Sequence, residues 1–240
     1  MPAESRLRTH LQALVGERHS VFALDSLKRA EDYLAEEFSR LGLNVVRHPF
    51  HAFGGTYCNV IGTAPGQQDV PPLILAAHYD TVEGSPGADD NTSALAVLLE
   101  VAHRVLHHQI QRPISFIVFC LEEENLLGSR AYVEHLAASK QLVHGALVLE
   151  CVGYARDEEG SQKTPPGLSI TVPSVGNFLA VIGNQASAGF TQAVSQAMGQ
   201  YMPIVPLIVP GNGELLPDTR RSDHTSFWEQ GFPAVMVTDT

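Results

Sequence analysis

Short apolar runs of strand length, each stopping on a charged or imidazole side chain, constrain this chain more than any other feature. The clearest is Ile114-Ser-Phe-Ile-Val-Phe-Cys-Leu121, which stops at Glu122-Glu123. Leu73-Ile-Leu-Ala-Ala77 stops at His78-Tyr79-Asp80, and a run over 145–149 stops at Glu150. Continuous apolar runs of this length belong to central strands covered on both faces. Desolvating one carboxylate costs on the order of several kcal/mol, so two together at the end of a buried strand need a compensating function.

Between these runs the pattern turns helical. Leu27, Ala30, Leu34, Phe38 and Leu41 follow helical spacing within 24–42, and Gly42 supplies the stop. Residues 92–106 read as a helix capped by Asn91 or Thr92. Further helices are expected near 128–139 and 187–199. Strands are expected at 44–49, 57–63, 203–209 and 233–237. A turn is expected over 64–68, with loops over 155–167 and 210–217. Alternating strand and helix with short connections means an α/β sheet, largely parallel in its centre. A chain of 240 residues supplies one substantial core and one domain, 1–240.

Composition narrows the function classes. The formal net charge of -11, with no basic cluster, argues against a nucleic-acid surface. No stretch of apolar residues is long enough for a membrane span. The first residues, Met1-Pro-Ala-Glu-Ser-Arg-Leu-Arg8, lack the apolar core of a signal peptide, so a cytoplasmic location is expected. Cys58, Cys120 and Cys151 are scattered, which suits a reducing compartment.

Sites in open α/β sheets form at the carboxyl ends of the strands. His78, Glu122, Glu123 and Glu150 should therefore meet on one edge. Asp89 lies in a loop before a helix, and His224 lies between a polar loop and the last strand. Two imidazoles and three carboxylates form a ligand set for borderline cations such as zinc. Two metals about 3.5–4 Å apart need a bridging carboxylate with terminal ligands on each side. Asp89 suits the bridge, His78 and Glu150 one metal, Glu123 and His224 the other. Three carboxylates and one hydroxide balance the charge of two Zn²⁺. Without metal these carboxylates, with Glu122, would crowd together and could not all stay ionised.

His78-Tyr-Asp80, Gly87-Ala-Asp89-Asp90-Asn91, Glu122-Glu123-Glu-Asn-Leu-Leu-Gly-Ser129, Leu149-Glu150-Cys-Val-Gly-Tyr154 and Ser222-Asp-His224-Thr-Ser-Phe-Trp-Glu-Gln-Gly-Phe-Pro233 follow one another in a characteristic order. In these segments, spanning residues 25–240, the chain resembles the co-catalytic di-zinc aminopeptidases. That family also contains glutaminyl cyclases and glutamate carboxypeptidase-like proteins. The resemblance implies a three-layer α/β/α fold with a mixed, centrally parallel twisted sheet, of the zinc exopeptidase (phosphorylase/hydrolase-like) kind. It implies His78, Asp89, Glu123, Glu150 and His224 as ligands of two Zn²⁺, or of another divalent metal such as Co²⁺ or Mn²⁺. It implies Glu122 as general base and Asp80 as the carboxylate that orients His78. It also implies a cis peptide between Asp89 and Asp90. The substrate expected is a peptide or aminoacyl compound, with no nucleic-acid or membrane partner.

Three departures from the family pattern stand out. Glu150 replaces the more usual Asp, Asn125 replaces the Gly common after the Glu pair, and the chain stops at Thr240. The resemblance therefore implies that the usual C-terminal strand-and-helix segment is lacking. Three other functions compete with aminopeptidase action. One is glutaminyl cyclisation on a single zinc. Another is carboxypeptidase or N-acyl amidohydrolase action. The last is a catalytically silent binding module of the same fold. Exopeptidases with an inserted dimerisation domain need a longer stretch than the 73 positions, 151–223, between Glu150 and His224.

Several polar groups have simpler roles open to them. His107-His108 reads as a solvated helix end. Arg220-Arg221 reads either as surface charge or as a grip on a substrate carboxylate. Tyr154 and Tyr201 could donate to an oxyanion. Asp157-Glu-Glu159 reads as a solvated loop, and Cys151 as a small buried residue.

Overall fold

The computed structural model describes residues 1–64, 70–162 and 172–239. The turn expected over 64–68 lies beyond Ala64 outside the described residues, and so does 163–167 of the expected loop.

Two helices lead, α1 (Ala3–Leu14) and α2 (Leu24–Arg40), followed by a hairpin, β1 (Asn44–Ala52) and β2 (Gly55–Ala64). Then come β3 (Leu73–His78), α3 (Thr92–Val105), β4 (Ile114–Phe119), α4 (Leu127–Ala138) and β5 (Gly145–Glu150). The last part holds β6 (Leu179–Asn184), α5 (Ala188–Met198), β7 (Ile204–Val209), α6 (His224–Glu229) and β8 (Ala234–Thr238). The strands form one sheet in the order β1-β2-β4-β3-β5-β8-β6-β7. The stretch β4-β3-β5-β8 is parallel, whereas β1, β2 and the β6–β8 pairing are antiparallel. This is the mixed, centrally parallel α/β sheet expected from the sequence.

Alternation along the central strands fills both faces. On β4, Phe116 and Val118 join the cluster with Leu34 and Phe38 of α2 and Leu95 and Leu98 of α3. Ile117 and Phe119 turn to the other face, against Tyr132 and Val133 of α4 and Phe227 and Trp228 of α6. Successive side chains of a strand point to opposite faces, so an unbroken apolar run serves two cores at once. α4 approaches β4 closely at Gly128, where a Cβ would collide with the Cys120 carbonyl.

Sequence patterning did not anticipate α1, β6 or α6. α1 buries only His10 and Leu14 and so shows a weak apolar stripe. β6 mixes Gly183 and Asn184 into six residues, and α6 has only six residues. Asn91 precedes α3 but makes no side-chain cap. Its amide instead reaches the Leu149 carbonyl (3.0 Å) and accepts from the Cys151 N–H (3.2 Å), tying the helix start to the end of β5.

Candidate metal centre

Parallel β3, β4 and β5 bring their carboxyl ends to one edge, with His78, Glu122 and Glu150 just beyond or at those ends. His78 is 1% exposed, and neither ring nitrogen has a hydrogen-bond partner. Its Nε2 lies 3.1 Å from Asp90, 3.5 Å from Glu150 and 3.9 Å from Glu122. Burial alone would lower the imidazole's pKa, but Glu122, Glu150, Asp80 and Asp90 outweigh it and raise it well above its ordinary value.

Asp80 organises this edge from behind. One of its oxygens lies 3.5 Å from His78 Nδ1 and accepts the Glu122 N–H (3.0 Å). The other accepts the Glu123 N–H (3.1 Å). One fully buried carboxylate thus fixes the histidine and the start of the glutamate pair together. Leu121 and Asn125, on either side of the pair, adopt left-handed φ of 61° and 62°. Asn is among the few non-glycine residues that tolerate this region, which suits Asn125 to its place. Burial raises the Glu122 carboxyl well above the usual range, His78 opposing and Asp223, Glu150 and Asp80 adding to it. Burial, with neighbouring carboxylates, raises Glu123 to about 7 against the pull of His78.

Glu150 accepts from the Ser222 hydroxyl (2.7 Å), from Asn91 (3.4 Å) and from the Cys151 thiol (3.4 Å). The longer side chain that replaces the usual Asp is therefore held from three sides.

Of the five expected ligands, Asp89, Glu123 and His224 fall outside the close groups around His78 and Glu150. Asp89 turns away and accepts the Gly153 N–H (2.9 Å), while the next residue, Asp90, faces His78. Asp90 is also the aspartate that groups with Glu150 and Cys151 within 4.8 Å. The cis peptide falls correspondingly one residue later, at Asp90–Asn91. His224 is fully buried at the start of α6 and donates from Nε2 to the Thr219 carbonyl (2.9 Å). Its ring lies edge-on to Trp228, with ring centres 4.4 Å apart. Its Nδ1 is buried without a partner, and burial lowers its pKa to about 4, keeping the ring neutral. Among the described residues, the groups of three ligand-type atoms within 4.8 Å are His78–Glu122–Glu150 and Asp90–Glu150–Cys151, without Glu123, His224 or Asp89. Asp223, beside His224, is fully buried with both oxygens unpartnered.

Arg18 was invisible to sequence reasoning and proves central. It is 2% exposed and donates to the Tyr79 carbonyl (2.6 Å), the Gly16 carbonyl (2.7 Å), Thr92 (3.1 Å) and the Leu14 carbonyl. It thereby joins the end of β3 to the loop that carries Asp89 and Asp90. Gly87 makes room for it: φ is 59°, and a Cβ there would stand 2.7 Å from the guanidinium. Nothing in the sequence singles out one arginine near the N-terminus. Away from the cluster, His107 and His108 are exposed, and Tyr154 and Tyr201 are 53% and 88% exposed.

A buried imidazole ringed by four carboxylates is short of positive charge. Imidazole and carboxylate are the donors that zinc and similar divalent cations take, so this set fits such a cation. Fold and site together place a set of metal-type donors at the carboxyl edge of an α/β sheet. The chain belongs to peptidase family M28, whose model matches residues 59–240. It is 32% identical over 231 residues to the uncharacterized protein YfbL of Escherichia coli, covering 90% of this chain and 70% of that protein. Over 81 residues it is 43% identical to the aminopeptidase YwaD of Bacillus subtilis, covering 33% and 18% of the two chains. The structure of the LapA aminopeptidase of Legionella pneumophila superposes with a TM-score of 0.74 at 19% identity, covering 99% of this chain and 60% of that one. The chain thus spans only part of these relatives' lengths. Among the described residues no helix is long and apolar enough to cross a membrane.

Proposed function

We propose that this protein is a zinc-dependent aminopeptidase that hydrolyses the N-terminal peptide bond of a short peptide, with Glu122 as general base. The observation that carries this is Glu122 itself. It is buried, held through its N–H by Asp80, 3.9 Å from His78, and raised in pKa mainly by burial. A carboxylate with an elevated pKa suits a group that must take up a proton and give it back near neutrality.

His78, Asp90 and Glu150 would hold one zinc ion, with Asp90 in the part that the motif pattern gives to Asp89. Glu123 and His224, through its free Nδ1, would serve a second. When bound, zinc lowers the pKa of a coordinated water and polarises a carbonyl. The chain's own residues do the rest. Glu122 accepts the proton of the attacking water and returns it to the departing amine. Asp80 keeps His78 and the glutamate pair in register while the charge on Glu122 changes. The carboxylates of the cluster provide the negative potential that a free α-ammonium group seeks.

Glu122→Gln should keep zinc content and melting behaviour while lowering turnover of aminoacyl chromogenic substrates by about 10²–10⁴-fold. Elemental analysis alongside the assay, before and after chelation, separates the outcomes. Full activity in the variant removes the base assignment. One zinc per chain, with cyclisation of N-terminal glutamine and no peptide hydrolysis, replaces the aminopeptidase with a cyclase.

A further inference from the structure

A cavity of about 370 Å³ opens beside the glutamate pair. Its lining brings Glu122 and Glu123 together with Arg130, Arg220, Arg221 and Glu229. Arg220 is committed to Glu229 at 2.8 Å and donates to the Asn212 carbonyl at 2.7 Å. Arg130, on the exposed side of α4, lies 4.0 Å from the same carboxylate. Arg221 has no hydrogen bond or ion pair with any described residue.

We propose that this cavity is a subsite for a substrate carboxylate, with Arg221 as its main contact, so that the preferred substrates are short peptides carrying an acidic group within one residue of the cleaved bond. This rests on the aminopeptidase function above and adds the substrate class to it. A guanidinium presents two parallel N–H donors that match a carboxylate, and such charge-assisted pairs are the strong ones. An unpaired arginine on a convex surface is simply solvated. This one, though exposed, lines a concavity that also holds Glu122 and Glu123, and the cavity volume lies within the roughly 300–1,000 Å³ of small-ligand sites. One lining therefore offers carboxylates suited to the substrate's ammonium group and guanidinium groups suited to its carboxylate.

Binding measured without turnover tests this directly. Zinc-loaded Glu122→Gln protein is titrated calorimetrically with isosteric pairs of C-terminally amidated dipeptides. The pairs carry Glu or Gln before the scissile bond, or Glu or Gln after it. A third pair compares the free acid and the amide of Leu-Leu. In at least one pair the carboxylate member should bind about tenfold tighter or more, as charged hydrogen bonds warrant. Adding Arg221→Gln should bring that ratio below about twofold, and Arg221→Lys should leave it in between, because the charge stays while the paired geometry goes. Ratios near one in every pair, or a preference that survives Arg221→Gln, overturn the subsite. Hydrolysis by the unmodified protein is scored separately. Neutral peptides cleaved without acidic preference would remove the subsite and keep the aminopeptidase. Carboxylate-selective binding with no hydrolysis of any peptide would do the reverse.

Discussion

The two walls of the site are built in opposite ways. The wall that ends in Asp90 is stitched throughout. Arg18 binds the Tyr79 carbonyl and Thr92, Gly16 donates to the Pro86 carbonyl at 2.8 Å, and Asp89 and Asn91 bond the segment after β5. The wall that carries Asp223 and His224 is buried just as deeply but is left open. Ser222 anchors it to Glu150, yet both Asp223 oxygens and the His224 Nδ1 have no partner. An unsatisfied buried polar group costs about 1–3 kcal/mol, and native proteins retain few of them. The first wall is therefore braced by its own hydrogen bonds, whereas the second keeps buried polar atoms unsatisfied.

Removing the brace is the most severe way to break this contrast. Arg18→Met keeps much of the buried stem but leaves the carbonyls of Leu14, Gly16 and Tyr79 without their donor. The expected loss is roughly 3–5 kcal/mol of stability. Hydrogen exchange should speed up across 79–92 and stay nearly unchanged across 219–224. Unaltered exchange in 79–92 would mean that Arg18 is only a packing residue.

Zinc should act on the other wall. At a free concentration 100 times its Kd it should stabilise the fold by about 2.7 kcal/mol. The added exchange protection should be larger at 222–224 than at 79–92, because Arg18 already braces the latter. Equal protection of both walls would erase the distinction. His78→Ala should abolish the stabilisation, since the imidazole lies within 3.1–3.9 Å of Asp90, Glu150 and Glu122 and is central to the donor set.

A milder change sharpens the same point. Asp223→Asn replaces a buried carboxyl group that has no partner with a neutral group of similar size. In the metal-free protein at neutral pH this should be neutral or stabilising by about 1–2 kcal/mol. In the zinc-loaded protein the advantage should vanish or reverse. A clear destabilisation of the metal-free variant would show that the second wall is satisfied in ways the hydrogen-bond pattern does not reveal.

This asymmetry also accounts for what could be read from the sequence. Strand ends were legible because a buried apolar run rarely stops on a residue such as His78, Glu122 or Glu150 unless a polar site lies there. Parallel neighbours then force those ends onto one edge. The choice between Asp89 and Asp90 was not legible. Adjacent identical side chains leave an irregular loop in different directions, and no periodicity says which faces inward. Arg18 was illegible for a related reason. Its partners are mostly backbone carbonyls, which any sequence supplies, and the residues it joins are 61 to 74 positions away. Motif order identified the family, and tertiary bracing decided which residue of each motif meets the others.

The smallest predicted effect concerns how the brace itself is held. Arg18 follows α1, and α1 is fastened to α3 by Arg6, which donates from two nitrogens to Glu100 at 2.6 and 2.7 Å, while Arg104 adds a further bond at 2.7 Å. These bonds, led by that from Arg6, overcome burial and lower the Glu100 carboxyl from 4.5 to about 2. A depressed carboxyl contributes stability that is fully present above its unfolded value and is lost as pH falls through its folded value. Glu100→Gln should therefore lower the melting temperature by a few degrees at pH 7. The gap between variant and parent should narrow as pH falls from about 4.5 towards about 2. If α1 is merely docked by its few apolar contacts, the two melting curves will run parallel across that window. The brace would then owe its position to Arg18 alone.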